Sequence, residues 1–307
     1  MTAGAAALVS GCGSDKPGTV ADDGSVTVKH AFGETKVPGP PKRVVSAGLS
    51  DADDLLAVGV VPIAVTDWFG GEPFGVWPWA QPRLGGAQPV VLSLADGVQI
   101  NQIAALKPDL IVATNAGLDQ DTYSRLSAVA PTIPQSGRDA FFEPWRDQAT
   151  AIGQSVFHHD DVQKLITDID AKFGAVKDAN PKFAGKKVLL LGGTLQRGDV
   201  QVTGPGWRHE FLTGIGLTVV DTTEALIPRE KMAAVLDSAD VLIWTTESDE
   251  EQAALLADPT ITGLSATTKL RNVFTGKELA GAIAYASTLS YPVVAEKLPP
   301  MIAAALG

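Results

Sequence analysis

The densest concentration of side chains able to hold a ligand is the stretch 67–83, which carries Trp68, Phe69, Phe74, Trp77 and Trp79 with Arg83 behind them. Three of the chain's six tryptophans fall there. Planar aromatic faces suit a bulky, partly apolar ligand, such as an aryl-capped chelate or a porphyrin. The competing reading is a loop that packs its own small core. It weighs more on Trp77 and Trp79 than on Trp68 and Phe69, which directly follow a predicted strand. Arginines are the second ingredient. Arg138 and Arg197 stand in predicted cleft loops, and Trp207-Arg208 stands where a helix should begin. A guanidinium fork matches carboxylate, hydroxamate and catecholate oxygens; the bland counterpart is an arginine solvated at the surface. Asn115, Phe141, Glu247 and Tyr285 join this set by loop position alone. In a chain of net charge −11, arginines gathered in a cleft make a local positive site against the global field.

Catalysis needs a constellation, and none assembles. There is no P-loop, and Gly204-Pro-Gly206 lacks the third glycine of a dinucleotide fingerprint. Serine, histidine and aspartate occur without a nucleophile elbow. The single cysteine, Cys12, lies far ahead of the predicted folded part. A bare-metal site would want two or three histidines with carboxylates. The four histidines are His30, His158, His159 and His209. His158 and His159 are adjacent, so they diverge on a helix, and with Asp160-Asp161 they read as a helix start. His209 or Tyr285 could serve as an axial ligand if the cargo were haem. The chain is expected to be no enzyme and to hold no resident cofactor or metal. Nucleic acid is excluded as a partner by the acidic balance, with a pI near 4.8.

These residues have to be positioned by something. Val26–Val37 alternates around a glycine-containing turn and predicts a short hairpin. Apolar β-branched runs at 43–47, 62–66, 109–113 and 130–134 alternate with helical stretches near 51–58, 97–106 and 120–128. A second series follows, with strands at 187–191, 217–221, 239–245 and 272–275 and helices near 207–214, 229–237 and 251–257. Short buried strands alternating with helices call for an α/β fold with parallel sheets. Between the two series, Val162, Leu165, Ile166, Ile169, Phe173 and Val176 keep the three-and-four spacing of one helical face. The expected architecture is two Rossmann-like lobes, 26–156 and 181–307, joined by a single long interlobe helix, 157–180, with the ligand cleft between them. Ligands in open α/β sheets sit beyond the carboxyl ends of the strands. That rule selects loops 46–50, 67–83, 114–118 and 135–142 in the first lobe, and 194–208, 222–228, 246–250 and 277–286 in the second. The last helical segment, near 287–305, holds Pro292, Pro299 and Pro300 and is expected to kink or break.

Residues 1–25 stand apart. Leu8-Val9-Ser10-Gly11-Cys12 follows an Ala/Gly-rich apolar stretch and looks like a bacterial lipobox, in which the cysteine thiol is acylated. The stretch before it is short and lacks Lys and Arg, so the expectation is a truncated signal with the true start upstream. The plain alternative is a free thiol in a flexible N-terminus. Gly13–Ser25 is polar and rich in Gly, Ser and Asp, as befits a tether.

Several segments, in this order, carry a resemblance. They are Pro41-Lys-Arg-Val-Val-Ser46, Asp54-Leu-Leu-Ala-Val-Gly-Val60, Gln102-Ile-Ala-Ala-Leu-Lys-Pro-Asp-Leu-Ile-Val112, Ala130-Pro-Thr-Ile133, Asp258-Pro259 through Leu264, and Val273-Phe274. Together they resemble the ABC-transporter periplasmic substrate-binding proteins for ferric siderophores, haem and cobalamin, the group with a helical backbone between lobes. With the lipobox, the resemblance points to an actinobacterial-type lipoprotein. It implies a monomer, lipid-anchored to the outer face of the cytoplasmic membrane through Cys12. Such a protein captures an iron chelate, a ferric siderophore or else haem, and hands it to an ABC importer permease. It also implies that an acidic residue on each lobe meets permease arginines, here Asp53 and Glu210. Ser50-Asp-Ala-Asp53 reads equally as a capping box. The alternative of another class is a two-lobed α/β enzyme or receptor domain that kept the architecture.

Overall fold

The computed structural model describes residues 16–204, 206–222 and 224–307. Cys12 and the lipobox therefore lie outside the described residues. The expected hairpin is present: β1 (Val26–His30) pairs antiparallel with β2 (Gly33–Val37). Its alternation works as written, with Val26, Val28 and Val37 turned into the core.

The first lobe contains β3 (Val44–Ser46), α1 (Asp51–Ala57), β4 (Ala64–Asp67), β5 (Val90–Ser93), α2 (Ile100–Ala105), β6 (Leu110–Ala113), α3 (Gln120–Ser127), β7 (Thr132–Pro134) and α4 (Trp145–Ser155). Its sheet runs β5-β4-β3-β6-β7, every pair parallel. Two elements escape the sequence pattern. Strand β5 is an edge with Val90 and Val91 exposed, so it lacks the buried run that marks its neighbours. Helix α4 starts on Pro144 and buries Trp145, Ala149 and Ile152, an i, i+4, i+7 stripe hidden in a stretch that looks polar.

Helix α5 (His159–Ala179) is the predicted connector, 21 residues long, or roughly 30 Å at 1.5 Å per residue. It buries Val162, Ile166, Ile169 and Phe173 in one apolar cluster with Trp145 and Ala149 of the first lobe and Val188, Leu190, Phe211 and Leu298 of the second. The connector is thus glued to both lobes rather than spanning open space.

The second lobe contains β8 (Lys187–Gln196), β9 (Asp199–Val202), α6 (Glu210–Gly214), β10 (Thr218–Val219), β11 (Leu226–Ile227), α7 (Arg229–Leu236), β12 (Val241–Thr245), α8 (Asp249–Ala257), α9 (Pro259–Thr262), α10 (Ser265–Thr268), β13 (Asn272–Phe274), α11 (Gly276–Tyr285) and α12 (Ser290–Leu306). Strands β10, β8, β12 and β13 are parallel, as expected. The sheet adds an antiparallel edge, β9 and β11, because β8 runs on to Gln196 and reverses through Arg197-Gly198, both at positive φ. The segment 277–286, expected as a cleft loop, is mostly helix α11. The expected break near the C-terminus is also corrected. Helix α12 continues through Pro299 and Pro300, while Tyr291, Val294, Leu298 and Ile302 bury its face. Tertiary burial outweighs the local hydrogen bonds that proline removes.

Candidate functional site: a cavity between the lobes

Both lobes contribute walls to a cavity of about 330 Å³. The first lobe sends Trp68 and Phe69, which follow β4, and Phe142, which precedes α4. The second sends Gln201 and Thr203 from β9 and the residue beyond it, Arg208, Thr245 and Glu247 at the end of β12, and Ala280, Ile283 and Ala284 from α11. Tyr291 closes it from α12. The volume and the mix of aromatic walls with few polar groups suit a small-molecule site.

The aromatic wall is braced from behind. Trp68 and Phe69 meet edge to face at 4.7 Å, and Trp68 lies 5.1 Å from Phe142. Beneath them Trp77 and Trp79 stack at 4.9 Å with planes only 12° apart. Tyr285 sits among these rings, with centroids 5.5 Å from Trp68 and 5.9 Å from Trp77. The two readings of this loop therefore divide by residue. Trp77 and Trp79 make the loop's own core, while Trp68 and Phe69 line the cavity.

Charge in the cavity is sparse. Arg208 stacks on Phe142 at 4.4 Å and on Trp207 at 5.2 Å. Burial holds its guanidinium below the usual arginine range. It has no ion pair among the described residues. Burial raises the Glu247 carboxyl, and the neighbouring Glu251 carboxylate raises it further while Lys277 opposes. Burial also raises the Tyr291 phenol, aided by Glu210 and opposed by Arg146 and Arg208.

The other expected site residues lie elsewhere. Arg138 and Arg197 are exposed and do not line the cavity, Arg197 because it occupies the β8–β9 turn. Phe141 is 46% exposed, and its ring lies over the bare Cα of Gly117, where a Cβ would sit 2.2 Å from it. Its neighbour Phe142 takes the inward place. Asn115 is buried and supports the wall: its amide donates to Ser50 Oγ at 2.9 Å and its Oδ1 accepts the Phe142 N–H at 2.9 Å. Trp207 packs on the large core behind Arg208. Neither His209 nor Tyr285, the two candidate haem ligands, lines the cavity. His30 is buried against Thr35 and Tyr123.

Asp53 requires a correction. It is buried, 1% exposed, and accepts hydrogen bonds from Trp79 Nε1 at 2.8 Å and Ser287 Oγ at 2.5 Å. A carboxylate so placed is not on an outer surface where it could meet a membrane partner. Nor does Ser50 cap α1, since its side chain makes no capping hydrogen bond. Glu210, by contrast, is exposed at the start of α6 and pairs with Arg146, which also holds Asp170.

Sequence reasoning missed Phe142, Gln201, Thr203, Thr245 and Tyr291. For Phe142 the signal was present but ambiguous by one residue. Gln201 and Thr203 fall inside the selected loop 194–208, but with strand β9 unread nothing singled them out within it. Thr245 stands one residue ahead of the selected loop, and Tyr291 reads as part of an apolar helix.

Comparison with known proteins agrees with this arrangement. The profile of the periplasmic binding proteins matches residues 44–279. A solved periplasmic solute binding protein from Mycobacterium smegmatis str. MC2 155 is 67% identical, with a TM-score of 0.92 over 93% of this chain and 100% of that one. The iron uptake ABC transporter substrate-binding protein PiaA from Streptococcus pneumoniae TIGR4 shares the fold. Its TM-score is 0.74 at 23% identity, over 92% of this chain and 99% of that one. The "Probable siderophore-binding lipoprotein YfiY" of Bacillus subtilis (strain 168) is 29% identical over 188 residues, 60% of this chain and 55% of that protein. The Fe(3+)-citrate-binding protein YfmC of the same organism is 27% identical over 218 residues, 69% and 66% of the two chains. The matches thus span about half to two thirds of these curated relatives' length. With a profile match reaching from β3 into α11, the chain belongs to the periplasmic binding protein family.

Proposed function

We propose that this protein is the extracytoplasmic binding component for a ferric siderophore and passes its load to an ABC importer. The observation that carries the reading is the interlobe cavity, where Trp68, Phe69 and Phe142 face Arg208, a guanidinium without an ion-pair partner among the described residues. Aromatic planes bury the apolar arms of a chelate, and the fork of Arg208 donates to its iron-binding oxygens. Iron enters as part of the cargo. Relatives named as siderophore- or iron-citrate-binding proteins support the ligand class. An anchor at Cys12 accords with the lipoprotein name of the first of them. Docking on the permease falls to Glu210 on the second lobe, with no contribution from Asp53.

Titration of tryptophan fluorescence tests the reading, because Trp68 borders the cavity and a ferric chelate quenches nearby indoles. Ferric tris-hydroxamate is expected to give saturable quenching at one equivalent. Failure of hydroxamate, catecholate and citrate chelates alike to quench, with a shifted Soret band on adding haem, would replace this reading with haem carriage.

A further inference from the structure

The charge inventory of the cavity bears on which chelates it accepts. Among the described residues only two charged side chains line it, Arg208 and Glu247, so these walls sum to about zero. A polyanionic chelate would need several cations to repay its desolvation. A further cation, Lys277, acts on Glu247, but Glu72 already engages it at 2.7 Å. Around Glu247 the balance is negative. The Glu251 carboxylate accepts the Glu247 N–H at 2.6 Å, and Glu251 stands so close to the strand that a Cβ on Gly193 would lie 2.9 Å from its Oε2. The cavity is therefore polarised, with a guanidinium on Phe142 in one part and a carboxylate at the end of β12 in another.

We infer that Glu247 is a specificity-determining residue that takes a cationic group on the chelate, so that the cavity prefers iron chelates of low net charge bearing an ammonium over polyanionic ones. This rests on the reading of the cavity as a chelate site. Arg208 receives the oxygen face of the iron centre, and the ligand's arm crosses the cavity, which Ile283 and Ala284 of α11 also line, so that its terminal amine meets Glu247. Catecholate and citrate complexes, which carry several negative charges, would place anions beside Glu247 and Glu251 with one guanidinium to offset them. The preference follows from repulsion as much as attraction.

The test crosses one ligand group with one side chain. Ferrioxamine B is a ferric tris-hydroxamate with a free ammonium, and its N-acetyl derivative is the same complex without that charge. Both are titrated by tryptophan quenching into the wild-type protein and Glu247→Gln, beside a ferric tris-catecholate and ferric citrate. The wild type is expected to bind the ammonium form roughly fivefold to tenfold more tightly than the acetylated one, the range of a partly solvated ion pair. In Glu247→Gln that ratio should fall close to one. Equal affinity for the two hydroxamates, a ratio unchanged by the substitution, or tightest binding of the tris-catecholate would each overturn the inference while leaving the carrier reading standing. No saturable binding of any of the four by natively folded protein would overturn the carrier reading, and the inference with it.

Discussion

At the scale of single residues, the site is a division of labour among neighbours. Trp68 and Trp77 are nine positions apart in one loop, yet one meets the ligand space and the other is buried at 1% exposure. Replacing Trp68 by alanine removes a wall without removing the brace behind it. Ferric tris-hydroxamate should then bind roughly fivefold to thirtyfold more weakly, the order of 1–2 kcal/mol for a lost aromatic face. The thermal midpoint should stay near that of the wild type, and calorimetric titration checks both. The same pairwise ambiguity limits what residue types reveal. Phe141 and Phe142 are identical letters, and tertiary contacts separate them: Phe141 lies over Gly117, while the Phe142 N–H donates to Asn115 Oδ1. Asp53 misled for a related reason. Three aspartates within α1's first turn look like a solvated face. Asp53 and Asp54 are buried against Ser287 and Thr288, 234 positions away, and Asp51 against Thr114, donors that no local pattern announces.

At the scale of elements, helix α11 has to lie against the aromatic loop, and Gly281 is where it does so. A Cβ there would stand 2.4 Å from the Trp77 ring, and that ring is pinned by its stack on Trp79. Alanine is the better helix former by about 1 kcal/mol, but forcing atoms into a packed core costs about 1–3 kcal/mol. Packing wins. Gly281→Ala is expected to lower stability in urea melts and to weaken chelate binding, because Ala280 and Ala284 on the same helix line the cavity. Greater stability with unchanged binding would contradict this packing. The elements most legible in sequence were those with uniform burial. Strands β4, β6 and β12 read as β-branched runs, and α5 reads by its apolar stripe. Those that went unread, β5, β9 and α4, are an exposed edge, a short hairpin return and a helix whose apolar stripe is diluted by polar neighbours. Because β9 carries Gln201, the selected stretch 194–208 pointed to the cleft without telling which of its residues face it.

At the scale of the whole molecule, the lobes are joined by more than α5. Ser287 and Thr288, ahead of α12, donate to Asp53 and Asp54 across the interface, and Gln148 of α4 donates to Asp54 at 3.0 Å. Asp51, Asp53 and Asp54 have no ion-pair partner among the described residues. Burial pushes Asp51 up to about 6 and Asp53 up to about 7, and raises Asp54. A carboxyl raised in the folded state favours folding when protonated. Its contribution is complete below pH 4 and is lost as pH rises through 6 to 7. His30 and His209, lowered by burial, act in the opposite direction as they charge on acidification. A difference measurement separates the two. The stability of Asp53→Asn relative to wild type should rise by roughly 2–3 kcal/mol between pH 5 and 8, read from urea melts; a flat difference would refute the buried titration. Stiff interlobe hydrogen bonding also implies modest closure on binding. On the proposed function, docking to the permease uses exposed chemistry such as Glu210, and Glu210→Ala should reduce chelate uptake by cells while leaving affinity in solution intact.

On the proposed function, iron is carried between the lobes, within its chelate, against Trp68, Phe142 and Arg208. The most direct measurement is the position of bound iron, located by anomalous diffraction at the iron edge in crystals grown with ferrioxamine B. A single iron in the cavity walled by those three residues is the predicted result. Iron bound elsewhere, or coordinated directly by protein side chains with no chelate around it, would contradict it.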